Sequence, residues 1–228
     1  MPSTARTARR GLATAAAGRL EGGSLGFYER RILPTLIHQG MRQRRLRPIR
    51  ERALAPAAGR VLEIGIGSGL NLPFYPRDLD AVIGLDPSPE LLARARREAV
   101  WSRSPVELRR GSAEAIPLDD ESVDTVVATW TLCSIPDVGA ALGEIRRVLR
   151  PGGRFLFAEH GRAPEPAVVA WQDRLTPLWQ RFAGGCHLNR PVDELIRAAG
   201  LRIEEIDTGY MVKGPRPWTY HYVGSAAP

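Results

Sequence analysis

Five short apolar runs divide the middle of the chain, at 61–64, 81–85, 106–108, 123–128 and 154–158. Runs this short, bounded by turn residues, read as buried strands. The segments between them have helical spacing. Ser88 suits the N-cap and Pro89 the first turn of an arginine-rich helix over 89–99. An amphipathic pattern over 138–149 stops at Pro151-Gly152-Gly153. Strand and helix therefore alternate from 61 to 160, which predicts an α/β fold with a doubly wound, mostly parallel sheet. Two more runs, at 201–206 and 218–223, are linked too closely for a crossover helix. They should pair antiparallel, giving about seven strands with an antiparallel last strand.

The flanks have a different texture. From Phe27 the spacing becomes helical, with Tyr28, Ile32, Leu36 and Gly40 on one face and Leu33, Ile37 and Met41 beside it. Pro34 divides that segment into two helices, because proline is tolerated only in a first turn. Residues 1–25 are rich in Ala, Arg, Gly, Ser and Thr and have little to bury, so they are expected to form a disordered or loosely ordered basic tail. After residue 160 the alternation breaks. Residues 161–188 read as a helical insertion carrying Trp171, Leu175, Leu178, Trp179 and Phe182. These serve either as an apolar lid or as the core of an inserted helix pair. The expected organisation is a tail over 1–25, an N-terminal helical cap over 26–56, and one domain over 57–228.

Composition narrows the class. A chain of 228 residues with 43% hydrophobic and 25% charged residues is ordinary for a globular protein with one sizeable core. No apolar run approaches the roughly 20 residues of a membrane-spanning helix. Cys133 and Cys186 are too few for a disulfide framework, and a reduced cytoplasmic setting is the expectation. The net charge of +7 is uneven: residues 1–60 hold 13 arginines against three acids. Arg42, Arg44, Arg45, Arg47, Arg50 and Arg52 read first as a solvated helix face covering one end of the domain. Peripheral contact with an anionic membrane or an amphiphilic substrate is the alternative. No nucleic-acid partner is expected, since the run lacks aromatic interleaving. A weakly apolar 11–18 after Arg9-Arg10 is too poor a core for an export signal. A monomer or homodimer is expected.

The chemistry starts where the first run ends, at Glu63-Ile64-Gly65-Ile66-Gly67-Ser68-Gly69. Glycines let the backbone turn sharply and approach a ligand, and ligands of open α/β sheets sit beyond the carboxyl ends of the strands. A dinucleotide fingerprint needs G-x-G-x-x-G; Gly65 and Gly67 supply two glycines, but Leu70 stands at the third position. Glu63 would repel a pyrophosphate and attract a ligand with a cationic centre and a free amino group. S-adenosylmethionine is such a ligand. Asp86 ends the second run, 17 residues after Gly69, where a carboxylate can accept both hydroxyls of a ribose. The plainer readings are a turn residue before Pro87 for Asp86 and a capping or surface carboxylate for Glu63.

The glycine motif resembles the first motif of class I S-adenosylmethionine-dependent methyltransferases. Gly84-Leu85-Asp86-Pro87-Ser88 is similar to their second motif, the segment from Gly111-Ser112-Ala113-Glu114 through Pro117-Leu118 to their third, and Val148-Leu149-Arg150-Pro151-Gly152-Gly153 to the turn before their fifth strand. The resemblance implies a Rossmann-like fold and S-adenosyl-L-methionine as cofactor. It also implies that Gly65, Gly67 and Gly69 approach the amino-acid portion of the cofactor, with Glu63 orienting the turn or the ammonium. Asp86 would hold the ribose, with Pro87 or Ser88 flanking the adenine. Ser112 and Ala113 would lie against the adenine, and Thr129 would border the methionine portion. Many members carry an Asp where this chain has Ser112.

The downstream half resembles a narrower subgroup. Its motifs are Leu132-Cys133-Ser134-Ile135, Glu159-His160, the stretch from Trp171 to Trp179, and Gly185-Cys186-His187-Leu188-Asn189-Arg190. The subgroup includes mammalian methyltransferase-like proteins that methylate small alkyl thiols, with a more distant likeness to quinone and phosphatidylethanolamine methyltransferases. The implied acceptor is a small apolar or amphiphilic molecule, a thiol ahead of a phospholipid amine or a quinone. A nucleotide-binding oxidoreductase or a non-catalytic cofactor-binding module is the alternative of another class. Removing a proton from such an acceptor calls for a positioned base. His160, at the end of the fifth strand, is the first candidate and His187 the second. No metal is expected, because neither the cysteine pair nor the histidine pair has metal-ligand spacing.

Overall fold

The computed structural model describes residues 28–228; the tail expected over 1–25 lies outside the described residues. Seven strands form one sheet: β1 (Arg60–Ile64), β2 (Ala81–Asp86), β3 (Val106–Arg110), β4 (Val123–Thr129), β5 (Leu149–His160), β6 (Arg202–Tyr210) and β7 (Tyr220–Ala227). Their order is β3-β2-β1-β4-β5-β7-β6. Neighbours from β3 through β5 are parallel, whereas β7 runs antiparallel to both β5 and β6. The predicted α/β, Rossmann-like class and its reversed last strand are thus present. Chain order reverses between β1 and β4, so a crevice opens beyond their carboxyl ends, where such sheets bind ligands.

Both faces of the sheet are buried, which explains why the central strands read as continuous apolar runs and not as alternating ones. On one face Ile64, Val126 and Phe157 pack with Leu142, Ile145 and Ile196. On the other, Val61, Val82, Val127 and Leu156 pack with Leu54, Leu72 and Leu92. The covering helices are α1 (Leu33–Met41), α2 (Arg47–Leu54), α3 (Pro89–Ala99), α4 (Val138–Val148), α5 (Pro166–Phe182), α6 (Val192–Ala198) and the single turn α7 (Arg216–Thr219). Among the described residues no helix is long and apolar enough to cross a membrane.

Local chemistry explains most boundaries. Pro34 sits in the first turn of α1, after a π-helical turn over Tyr28–Ile32, and Pro48 does the same for α2. Ser88 caps α3 through Leu91 N–H, and Asp137 caps α4 through Ala140 N–H. Three boundaries differ most from expectation, and one of them is the sixth strand, which runs on to Tyr210 and not 206. The fifth strand begins at Leu149, not 154, because a register shift between Val123 and Thr125 accommodates the Pro-Gly-Gly bend. The seventh begins at Tyr220, because Pro217 places Trp218 in α7. The insertion folds as one helix, α5, with Pro177 inside it, and not as a pair. Trp171, Leu178 and Phe182 on it are 56–58% exposed, so they are not core.

Candidate active site

Gly65 leaves β1 at a φ of +63°, and a Cβ there would overlap the Thr131 side chain. Gly67 also has positive φ, and a Cβ on it would make only an ordinary contact with Gly65 O, at 3.9 Å. The turn thus presents bare backbone toward the crevice. Asp86 fixes the turn to α3: one carboxylate oxygen accepts Gly67 N–H at 2.9 Å, the other Ser88 N–H at 2.8 Å. Burial pushes its pKa up against those two bonds. A carboxylate has about four lone-pair sites, so two remain for a diol. Gly111 N–H binds Asp86 O at 3.2 Å, bringing the Ser112 loop to the same edge. There Ala113 is buried, Ser112 Oγ lies 2.9 Å from Glu114, and Pro87 O accepts from Arg110.

Beneath the turn, Glu63 is 2% exposed. Its two oxygens accept from Asn71 Nδ2 and Tyr75 Oη, both at 2.8 Å. Asn71 Nδ2 also donates to Thr129 Oγ1 at 2.9 Å, which ties β4 to the network. Asn71 Oδ1 accepts from Arg50 Nη1 of α2, and Arg50 Nη2 donates to Met41 O at 2.9 Å. Burial pushes Glu63 up to about 7, against the Tyr75 and Asn71 hydrogen bonds and the Arg50 charge. Burial likewise brings Arg50 down to about 10. A carboxylate with this pKa takes up or gives up its charge readily near neutrality, which fits a site that must accept a cation. Above the turn, His38 of α1 lies 2.8 Å from Ser68 Oγ, and Arg94 of α3 donates to Thr35 at 2.6 Å.

The other wall starts where β4 ends. Trp130 holds a left-handed φ of 50°, which costs a bulky residue about 1–3 kcal/mol and marks a constrained position. Thr131 and Leu132 N–H groups both donate to Glu159 Oε1, at 2.8 and 3.0 Å. Glu159 is wholly buried, and burial followed by the neighbouring Cys133 pushes it up to about 8. Arg190 fastens the same loop through the carbonyls of Leu132 and Ile135. His187 does so through Cys133 O at 3.0 Å, its other ring nitrogen meeting the Gln180 amide. His187 thus holds a loop. His160 instead points Nε2 at Cys186 Sγ, 3.1 Å away, with Nδ1 buried and unpartnered. Burial lowers its pKa, but Cys133 and Glu159 more than offset that. Cys133, His160 and Cys186 form one buried cluster.

The structure therefore brings Glu63, Gly65, Gly67, Asp86, Pro87, Ser112, Ala113 and Thr129 together at the carboxyl ends of β1, β2, β3 and β4, linked by hydrogen bonds, with Gly69 in the turn behind them. His160 stands at the crevice's β5 side. Sequence reasoning missed Arg50, Asn71 and Tyr75. Asn71 and Tyr75 follow the glycine motif directly, and two polar groups in an otherwise apolar segment were the available signal.

A sheet in this order, with β7 reversed and a glycine turn at the switch point, defines the class I methyltransferase architecture. A family model described as "Methyltransferase domain" matches residues 62–157. The phosphatidylethanolamine N-methyltransferase of Cereibacter sphaeroides is 42% identical over 158 residues, covering 68% of this chain and 75% of that one. The chain belongs to the S-adenosylmethionine-dependent methyltransferases. Thiol S-methyltransferase TMT1B of Rattus norvegicus is 36% identical over 57% of this chain. The chain spans only 54% of that relative's length. A crystal structure of an S-adenosylmethionine-dependent methyltransferase from Thermotoga maritima superposes with a TM-score of 0.63 at 21% identity, over 89% of this chain and 98% of that one. S-adenosylmethionine is the cofactor of this family. The residues present fit it, since bare turn backbone, a buried carboxylate beneath it and Asp86 at the β2 end suit a cationic amino acid joined to a ribose.

Proposed function

We propose that the protein methylates a small apolar or amphiphilic acceptor, with a thiol ahead of a phospholipid amine or a quinone. The observation that carries this reading is the buried cluster at the carboxyl ends of β4 and β5, on the same edge of the sheet as the glycine turn. It offers two thiols, an imidazole and apolar side chains, while the nearest carboxylate, Glu159, is wholly buried, with Oε1 bonded to two backbone N–H groups and Oε2 unpartnered. A soft, apolar acceptor suits such a surface better than a charged amine does.

S-adenosylmethionine, when bound, supplies an electrophilic methyl group. Gly65 and Gly67 would hold its amino-acid end, Glu63 its positive charge through the Asn71–Tyr75 network, and Asp86 its ribose. Ser112 and Ala113 would flank the adenine, and Thr129 the methionine portion. Arg50 and His38 hold the cap against this side, which excludes water and strengthens each electrostatic contact. His160 faces the acceptor side, and His187 and Arg190 position the loop that carries Cys133.

The test is a product assay with isotopically labelled cofactor on an alkyl thiol, phosphatidylethanolamine vesicles and a demethylated quinone. A labelled thioether is expected. Labelled N-methylated lipid with no thioether would replace the thiol reading with the phospholipid one. The cap adds a reading of location. Ile32 and Leu36 of the cap and Leu178 and Phe182 of α5 are exposed, and Tyr28 Oη reaches Phe182 O. With the exposed Arg42, Arg44 and Arg45 nearby in the chain, this supports peripheral contact with an anionic bilayer. Co-sedimentation with anionic but not neutral vesicles is expected; equal recovery in both supernatants would refute it.

A further inference from the structure

Three soft or borderline metal donors converge from three separate segments. Cys133 comes from the loop after β4, His160 from the end of β5, and Cys186 from the loop after α5. Their donor atoms all lie within 4.8 Å of one another, and all three residues are buried. Two thiols and an imidazole are the donor set of Cys2His zinc sites. Around a tetrahedral zinc with bonds of about 2.3 Å to sulfur and 2.0–2.1 Å to nitrogen, donors stand about 3.6–3.8 Å apart. Sub-ångström to ångström shifts of side chains bring the observed cluster to that spacing.

The backbone holds the donors in place. His187 N–H binds Cys133 O at 2.8 Å, joining the two cysteine loops. Arg190 clamps Leu132 O and Ile135 O on either side of Cys133. Trp130 N–H binds Ala158 O at 2.8 Å, which fixes the loop to β5 just before His160. His160 Nε2 and Cys186 Sγ face each other at 3.1 Å, Cys133 Sγ has only long contacts to Trp130 O and Ser134 Oγ, at 3.6 and 3.5 Å, and His160 Nδ1, outside the donor set, is buried without a partner. Among the described residues no fourth carboxylate, thiol or imidazole joins the set. Three protein ligands with one open position are the pattern of reactive zinc sites, whereas structural sites close with four.

We propose that Cys133 Sγ, His160 Nε2 and Cys186 Sγ bind a zinc ion whose open position takes the sulfur of the acceptor thiol. This deepens the thiol reading and rests on it. On coordination a sulfur lone pair forms the S–Zn bond, the S–H proton leaves to solvent, and a bound water is displaced; nothing is oxidised or reduced. The metal holds the sulfur as a thiolate at neutral pH, at the ends of β4 and β5, on the edge of the sheet that also carries the glycine turn. His160 is then a ligand, and no base on the protein is required.

The test uses tag-free full-length protein produced in zinc-supplemented medium. Elemental analysis should find about one zinc per chain. After chelation and refilling with cobalt(II), a thiolate-to-cobalt charge-transfer band should appear and shift when an alkyl thiol is added. Cys186→Ser should weaken zinc retention at least tenfold, and His160→Gln should do the same while keeping the cobalt–thiolate band. Wild-type protein without zinc, giving no cobalt band and with both thiols open to a thiol reagent, overturns the proposal whether or not the variants fold. A cobalt band unmoved by thiol overturns the open-position assignment. Thiol methylation by zinc-free protein would sink this inference and spare the proposed function. Stoichiometric zinc with methylation of lipid amine alone would keep the metal site and overturn the thiol reading together with the open-position assignment.

Discussion

The guanidinium of Arg50 lies 4.7 Å from the centroid of the Trp130 ring. Arg50 belongs to the N-terminal cap, and Trp130 is the left-handed residue on which the chain leaves β4. One side chain thus joins the cap, the strained exit of a central strand and, through Asn71, the carboxylate under the glycine turn. Replacing Arg50 with Met leaves Asn71 Oδ1 and Met41 O without their donor. Loss of one partner from a buried charged network costs about 3 kcal/mol. The urea midpoint should fall accordingly, and Arg50→Lys should recover only part of it, since an ammonium lacks the planar fork. An unchanged midpoint would show that the cap is held without this residue.

Glu63 predicts a pH dependence with a definite sign. Its folded pKa, about 7, lies above the ordinary carboxylate value of 4.5. The neutral form is favoured by folding, so its stabilising contribution is full below about pH 4.5 and is lost as pH rises through about 7. Arg50 and Tyr75 face it directly and Asp86 lies nearby, so the ionised form is tolerated but not preferred. A cationic cofactor reverses that preference. Affinity for S-adenosylmethionine should rise with pH up to about 7 and then level off, and Glu63→Gln should flatten the curve. Calorimetry across pH 5.5–8.5 measures both, and identical slopes in wild type and variant would remove Glu63 from the site.

Asp86 has a structural and a binding role that one pair of variants separates. Asp86→Asn keeps an oxygen for one backbone N–H but loses the charge, while Asp86→Ala loses both. One charge-assisted hydrogen bond to a ribose hydroxyl corresponds to about 1.5–3 kcal/mol, a lower bound for a diol held by two. Asp86→Ala should weaken cofactor binding by at least that amount, measured by calorimetry on protein first checked for an intact fold by circular dichroism. Full affinity in a folded Asp86→Ala protein would place the ribose elsewhere.

Gly65→Ala should destabilise the turn by about 2 kcal/mol, from the left-handed backbone alone, with a further cost from overlap with Thr131. Thr131→Ala should recover the overlap and leave the backbone cost. Thermal melts of the two single variants and the double variant give the coupling, and strict additivity would mean that the two residues do not meet in solution.

The sequence made one wall of the crevice readable and left the other obscure, for a physical reason. The strands β1, β2 and β4 are buried on both faces, so they appear as uninterrupted apolar runs, and Glu63 and Asp86 stand out at their ends. The glycines announce a turn because few other residues adopt its backbone. Nothing local distinguishes Arg50 from its exposed neighbours Arg47 and Arg52; only packing against Trp130 and Asn71 selects it. Cys133 and Cys186 are 53 positions apart and acquire meaning only when two loops and a strand end converge. Trp171 and Phe182 fit either a lid or a core on sequence alone, because size and apolarity suit both, and only their exposure removes the core reading.

β7 lies inside the sheet although it is the last of the seven strands in chain order, with β5 and β6 as its neighbours. Both neighbours are synthesised before it. Until β7 inserts, β6 has no partner and β5 leaves Phe155, Leu156 and Phe157 along an unfilled edge. Open edges of that kind invite pairing with other chains. On the ribosome, the half of the sheet that ends in His160 therefore stays unzipped until its final strand emerges. A chain halted after Tyr210 would carry nearly every residue of the crevice and still expose a sticky edge, making it a substrate for chaperones and not a smaller enzyme.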